Sequence, residues 1–208
     1  MTNIVIFGAG GRAGRAAIRE AHRRGHRVTA VVRDPARHSD LAATVVTGDV
    51  TDAQSVAQVA AGHDAAINAA VDLAAAPEAF FPTASRALTG GLSLAGVRRL
   101  VVVGLASVLP TADGALLMDV PGYPQEYRSF YLGHAALRDG LSEGELDWVV
   151  LSPAGDFDHD GAPIGRYRWA AADAASRITY ADFATAVLDE IETPKHHGVH
   201  LGAEGVRL

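Results

Sequence analysis

The stretch "NIVIFGAGGRAG", Asn3 to Gly14, constrains this chain more than any other. A β-branched and aromatic run reads as a buried strand, and four glycines, Gly8, Gly10, Gly11 and Gly14, stand at its exit, where an Ala-rich helical pattern begins. Glycine there permits a turn that a side chain would block and lets the following helix pack close to the strand. Two overlapping frames fit: Gly8, Gly10 and Ala13 match G-x-G-x-x-G/A, and Gly8, Gly11 and Gly14 match G-x-x-G-x-x-G. Both describe a helix N-terminus whose free N–H groups and positive dipole end face an anion.

The remainder of the chain repeats the alternation. Short apolar runs at Asn3 to Phe7, Arg27 to Val32, Thr44 to Thr47, Ala65 to Asn68, Arg99 to Gly104 and Asp147 to Ser152 read as strands covered on both faces. Helical patterns lie between them at Arg12 to Arg24, Ala53 to Ala61, Pro77 to Ala95 and Glu126 to Leu141, the third weakened at Gly90-Gly91. A last unit, "SRITYADFATAVLDEIETP", predicts a short strand, an N-cap within Tyr180 to Asp182, and a helix ended by Pro194. Strand, helix, strand at this spacing implies parallel crossovers, hence a Rossmann-like, doubly wound α/β sheet forming one domain over the 208 residues. In that fold the glycine turn cradles a dinucleotide pyrophosphate. A P-loop is excluded, because no Gly-Lys-Ser/Thr follows.

The second strand ends at Arg33, and this position separates the two nicotinamide dinucleotides. A bare ribose calls for a carboxylate there, whereas a 2′-phosphate calls for a cation. Arg33 therefore favours NADP(H) over NAD(H), since a guanidinium engages a phosphate bidentately. The alternative is that Arg33 caps the strand or pairs with Asp34, leaving Asp34 to face a ribose. Arg12, in the first helical turn, either adds charge beside the phosphates or faces water, and Asp49 in "TGDV" either meets the adenine edge or is a turn aspartate.

Charge and composition narrow the partners. The formal charge of −6 argues against a nucleic-acid surface, and no apolar run approaches a membrane span. Zero cysteines remove disulfides, thiolate metal sites and cysteine nucleophiles. With no signal segment evident, the expected setting is the cytoplasm and the expected partner a small-molecule substrate. The sole lysine is Lys195, so no lysine chemistry is open in the middle of the chain.

These residues resemble the atypical short-chain dehydrogenase/reductases of the NmrA-like, NAD(P)H-binding kind, which include flavin reductase and biliverdin reductase B-like proteins. The similarity runs through "IFGAGGRAG", "VVRDP", "GDVTD", "INAA", "VVVGLASVL", "LDWVVLSPAGDF" and "SRITYADFATAVLDEIETPKH". It implies that Gly8, Gly11, Gly14, Arg33, Asp49, Val50, Asn68, Ala69 and Ala70 bind the dinucleotide. It also implies that Gly104, Ser107, Pro153 and Ala154 line its nicotinamide end.

The departure from the wider superfamily bears on mechanism. Typical members use a Tyr followed four residues later by Lys, but here Tyr123, Tyr127 and Tyr131 are followed by Tyr127, Tyr131 and Ala135. A phenol with an ordinary pKa is a poor acid–base group at neutral pH. Carbonyl reduction by the usual residues is thus disfavoured, as is sugar-nucleotide epimerisation. Hydride transfer to a flavin, quinone or other conjugated acceptor remains open, and so does a non-catalytic sensor of NADP(H). Candidate catalytic groups are Ser107 and, on the helix that follows, Tyr131 and His134, each also consistent with a turn or packing role. The long segment Val108 to Gln125 is either a substrate cover or a homodimer contact. No metal is expected. "DFDHDG" has Tyr167 where a calcium loop needs Glu, and "HHGVH" reads as surface histidines in a turn leading to a strand.

Overall fold

The computed structural model describes residues 1–206. Its strands are β1 (Asn3–Phe7), β2 (Arg27–Val32), β3 (Thr44–Thr47), β4 (Ala65–Asn68), β5 (Arg99–Val103), β6 (Asp147–Pro153), β7 (Asp156–Asp158), β8 (Tyr167–Ala170), β9 (Arg177–Thr179) and β10 (Val199–Gly205). Its helices are α1 (Arg12–Arg23), α2 (Ala53–Ala60), α3 (Pro77–Ala95), α4 (Arg128–Leu141) and α5 (Tyr180–Glu192). The main sheet runs β3-β2-β1-β4-β5-β6-β10-β8. All neighbours in it are parallel except β8, which pairs antiparallel with β10. The fold is therefore the Rossmann-like doubly wound sheet that the alternation implies.

Strand order reverses between β1 and β4, which opens a crevice above their C-terminal ends. Helices α1 and α5 cover one face over a core of Ile4, Ile6, Ile67 and Phe183, and α2, α3 and α4 cover the other over Val5, Phe7, Leu88 and Leu100. Burial of β1, β4 and β5 on both faces accounts for their unbroken apolar runs.

Several local details depart from the sequence reading. Helix α3 is continuous through Gly90-Gly91, because Gly91 is where α3 meets α2: a Cβ there would stand 2.6 Å from the Ala53 carbonyl oxygen and Val56. Helix α4 starts at Arg128, two residues late. The N-cap of α5 is Thr179, whose Oγ1 accepts from the Asp182 N–H at 3.0 Å while its hydroxyl donates to the buried Asp182 carboxylate at 2.8 Å. The edge strand β8 was not expected, and the run "DFD" is strand β7, paired with β9 in a second small sheet.

One buried ion pair ties the N-terminal end of the sheet together. The Arg99 guanidinium donates to Glu190 at 2.8 Å, to Asp147 at 3.0 Å and to the carbonyls of Glu190 and His196, joining β5, β6, α5 and the turn before β10. Burial would raise the Glu190 carboxyl, but the His196 imidazole and the N–H groups of Lys195 and His196 hold it below the ordinary range. Arg99→Met would leave that buried carboxylate with His196 and two N–H groups but no guanidinium, and we expect a loss of ~3 kcal/mol, read from urea unfolding.

Candidate functional site

A cleft of about 610 Å³ opens at the C-terminal ends of β1, β2 and β4, lined in part by Gly8, Gly10, Gly11, Arg33, Asp49, Val50, Ala69 and Ala70. Gly8 turns the chain at φ 71°, and its missing Cβ lets the Ala69-Ala70 backbone approach to where that atom would be 2.4 Å away. Gly14 meets the same turn from the helix side: a Cβ there would lie 2.4 Å from the Gly8 carbonyl oxygen. The packing glycine of the two frames is therefore Gly14, with Ala13 half-buried beside it. Gly11, which lines the cleft, is the N-cap of α1 and, having no side chain, leaves the first-turn N–H groups of Arg12, Ala13 and Gly14 without a side-chain cap. An anionic pyrophosphate fits that cradle.

The second strand delivers Arg33 to the cleft, but its partner is not Asp34. Asp34 instead accepts from the Ala36 N–H and pairs with Arg37 at 3.2 Å, capping a short 3₁₀ turn at Pro35–His38. Arg33 Nη1 reaches across to Asp72 at 2.5 Å. Asp49 Oδ1 accepts from the Thr51 N–H and hydroxyl, and Val50 lies buried beside it on the cleft wall. Asn68, buried at the end of β4, accepts from the Ala70 N–H at 3.1 Å and so shapes the turn carrying Ala69 and Ala70 without lining the cleft itself. Arg12 extends the other way, to His159 Nδ1 at 3.1 Å, bridging the start of α1 to the loop after β7.

At the end of β5, the Gly104 N–H donates to the Leu151 carbonyl at 2.7 Å, and Ser107 follows in a 3₁₀ turn at Ala106–Val108. Pro153 closes β6. Ala154 is wholly buried, its N–H given to the Ala203 carbonyl and its own carbonyl taken by the Asp173 N–H. Ser107 Oγ shares a 2.9 Å hydrogen bond with the Tyr123 hydroxyl, and the Tyr123 ring packs edge-on to Tyr131 at 5.6 Å. Burial, and then Tyr123, raise the Tyr131 phenol above its ordinary value. No lysine comes near to reverse that: Lys195 lies just before β10, where its N–H donates to Glu190. The segment after Ser107 folds back as a cover, with Leu109 and Leu117 in one small core and Met118 against Tyr131 in another.

His134 lies one turn beyond Tyr131, its ring 4.3 Å from Phe81 and 4.9 Å from Phe130 at the α3–α4 contact. Burial lowers its pKa to about 4. It is therefore uncharged at neutral pH, with its ring packed against Phe81 and Phe130. His200 likewise corrects the surface reading of "HHGVH". Its Nε2 meets Ser152 Oγ at 2.7 Å behind Gly104, its Nδ1 is buried without a partner, and burial lowers its pKa to about 3. His196 and His197 do stay nearer the surface, paired with Glu190 and Asp147. Asp158, from the run resembling a calcium loop, accepts from the N–H groups of Asp160 and Gly161.

Sequence reasoning did not single out four residues that the fold brings to the site. Asp72, Phe80 and His38 line the cleft, and the His38 ring lies directly over Gly10. Tyr123 partners Ser107. Only Tyr123 had a signal, as the one tyrosine within the long cover segment; the others depend on how loops after β2 and β4 return over the glycine turn.

The fold and cradle define a nicotinamide-dinucleotide-binding protein. Residues 8–194 match the model of the NAD(P)H-binding family, and the chain belongs to that family. This membership agrees with the resemblance to atypical short-chain dehydrogenase/reductases. The chain is 37% identical over 204 residues, 93% of each chain, to the uncharacterised protein YwnB of Bacillus subtilis. Among solved structures it is similar to a candidate exported protein of Burkholderia pseudomallei, at TM-score 0.85 and 33% identity over 99% of this chain and 100% of that one. It is also similar to a candidate NADH-flavin reductase of Streptococcus pneumoniae, at TM-score 0.81 and 28% identity over 99% of this chain and 100% of that one.

The two buried imidazoles make stability depend on pH. Unfolded, both histidines protonate near the ordinary value of 6.5, while the fold keeps them neutral to about 4 and about 3. Below pH ~6.5 the unfolded chain thus binds protons that the native chain refuses, and stability falls as pH falls. Thermal unfolding at pH 7 and pH 5 should show Tm lower by ~5 °C or more in acid, and a His134→Gln, His200→Gln variant should show a smaller drop.

Proposed function

We propose that the protein is an NADP(H)-dependent oxidoreductase of the atypical short-chain type, passing hydride to a small conjugated acceptor such as a flavin or quinone. The observation that carries this reading is the Ser107–Tyr123 hydroxyl pair at the end of β5, reinforced by Tyr131 and lacking any lysine. Bound reduced nicotinamide supplies the hydride. For such a cofactor, the first-turn N–H groups of Arg12, Ala13 and Gly14 would hold the pyrophosphate, Arg33 would hold the 2′-phosphate, and Gly104 and Pro153 would line the nicotinamide end. Within the pair one hydroxyl donates to the other, which leaves one hydroxyl hydrogen to donate to an acceptor oxygen and orient the acceptor without demanding a proton from a phenol whose pKa no cation lowers. The balancing proton comes from solvent. An acceptor stable as its reduced, conjugated form needs no more, and the likeness to the candidate NADH-flavin reductase points the same way.

A second reading, a non-catalytic sensor of NADP(H), is favoured by one observation: Ser107 is only 1% exposed beneath Tyr123 and the cover segment. In the enzyme reading that segment opens to admit the acceptor, and the chain acts in the cytoplasm on a small molecule, with neither nucleic acid nor membrane as partner. Among the described residues, no helix is long and apolar enough to cross a membrane.

Calorimetric titration should show NADPH binding more tightly than NADH, with Arg33→Ala weakening NADPH by about tenfold and NADH little. Absorbance at the reduced-nicotinamide band should then report NADPH oxidation by a flavin or quinone. Tyr123→Phe should lower kcat with NADPH affinity unchanged. Binding without turnover of any acceptor would leave the sensor.

A further inference from the structure

The Arg33–Asp72 ion pair spans the cleft. Arg33 leaves the end of β2, and Asp72 sits in the loop after β4; in the sheet these strands flank β1, whose glycine turn forms the cleft floor. The pair therefore crosses above the place a dinucleotide must occupy.

Its two members are held very differently. The Asp72 side chain is 21% exposed, and its Oδ1 accepts from the Ala74 N–H at 3.0 Å in a turn of its own loop. That N–H, and then Arg33, hold its carboxyl below the ordinary range, so it stays charged. The Arg33 side chain is 68% exposed and bonded through Nη1 alone; its Nε and Nη2 have no partner among the described residues. Asp72 is the anchored member, and Arg33 is the one free to turn.

A 2′-phosphate wants the same guanidinium that Asp72 holds. We infer that Asp72 is an internal competitor for Arg33 and sets how strongly the protein prefers the phosphorylated cofactor. The inference rests on the NADP(H) reading above. With the pair intact, Arg33 offers the cleft a neutralised charge. When NADP(H) enters, the guanidinium exchanges a carboxylate for a phosphate and gains only the difference, whereas NAD(H) gives it nothing to exchange for. Selectivity is then smaller than a free arginine would confer. Val71 and Ala75 from the loop and Phe80 and Thr83 from α3 line the same cleft.

The test is the ratio of NADPH to NADH affinity, measured by titration at low salt on the full chain. Asp72→Asn removes the charge yet keeps an oxygen for the Ala74 N–H, so the turn survives; an unchanged thermal unfolding curve checks this, and Asp72→Ser is the second variant should the first misfold. Freeing one unit charge at ion-pair distance in water should raise the ratio by about fivefold. In an Arg33→Ala background the same substitution should change the ratio by less than about twofold. An unchanged or lowered ratio for Asp72→Asn overturns the inference. So does a gain that persists undiminished without Arg33, since Asp72 would then act by plain repulsion. These results are separable from the cofactor reading: if Arg33→Ala itself leaves the ratio unchanged, the NADP(H) preference fails, whatever Asp72→Asn does.

Discussion

The structure depends on the close approach of three backbones at the exit of β1. The Gly8 turn lies against the Ala69-Ala70 backbone on one side and against the first turn of α1 at Gly14 on the other, both nearer than any Cβ allows. This contact sets the start of α1 over the end of the sheet, and Gly11, at the edge of the crevice, leaves the helix N-terminus without a side-chain cap. The other consequences follow from geometry. Strand order reverses at this point, so the loops after β2 and β4 diverge and a cleft opens between them.

Away from that crevice several charged groups are satisfied internally. Arg24 illustrates this: its guanidinium bonds Glu20, Asp189 and Glu192, clamping α1 to α5. Arg99 does the same at the foot of the sheet. The arginines near the cleft differ in kind. Arg15 is taken up by Asp40 and the Gly10 carbonyl, Arg12 leans on His159, and Arg33 is held by a single nitrogen. Arg12 and Arg33 each bond through one nitrogen, so a ligand can take either guanidinium without dismantling a network, and of the two Arg33 lines the cleft.

The acceptor end obeys a different logic. A hydroxyl pair sits on a strand end under an apolar cover, and the tyrosine nearest in the helix is made less acidic by its surroundings. In the proposed reaction such a site would position and shield the acceptor rather than drive proton transfer. That suits a reaction whose difficult chemistry belongs to the bound cofactor, and it equally explains why the sensor reading needs only that the cover stay shut.

The sequence alone determined the six central strands, their doubly wound class and the glycine turn, because these rest on local chemistry: unbroken apolar runs for strands buried on both faces, and glycines wherever backbones must touch. It also determined what the mechanism lacks, since a missing lysine is visible without coordinates. Tertiary structure decided the pairings. Arg33 meets Asp72 rather than the adjacent Asp34 because the loop after β4 returns over the turn, 39 residues along the chain. His134 and His200 are kept uncharged by burial that a residue type does not announce, and Tyr123 comes within 2.9 Å of Ser107 because the cover folds back. Strand period and glycine spacing are properties of neighbours in sequence; ion pairs, desolvation and the choice among three tyrosines are properties of neighbours in space.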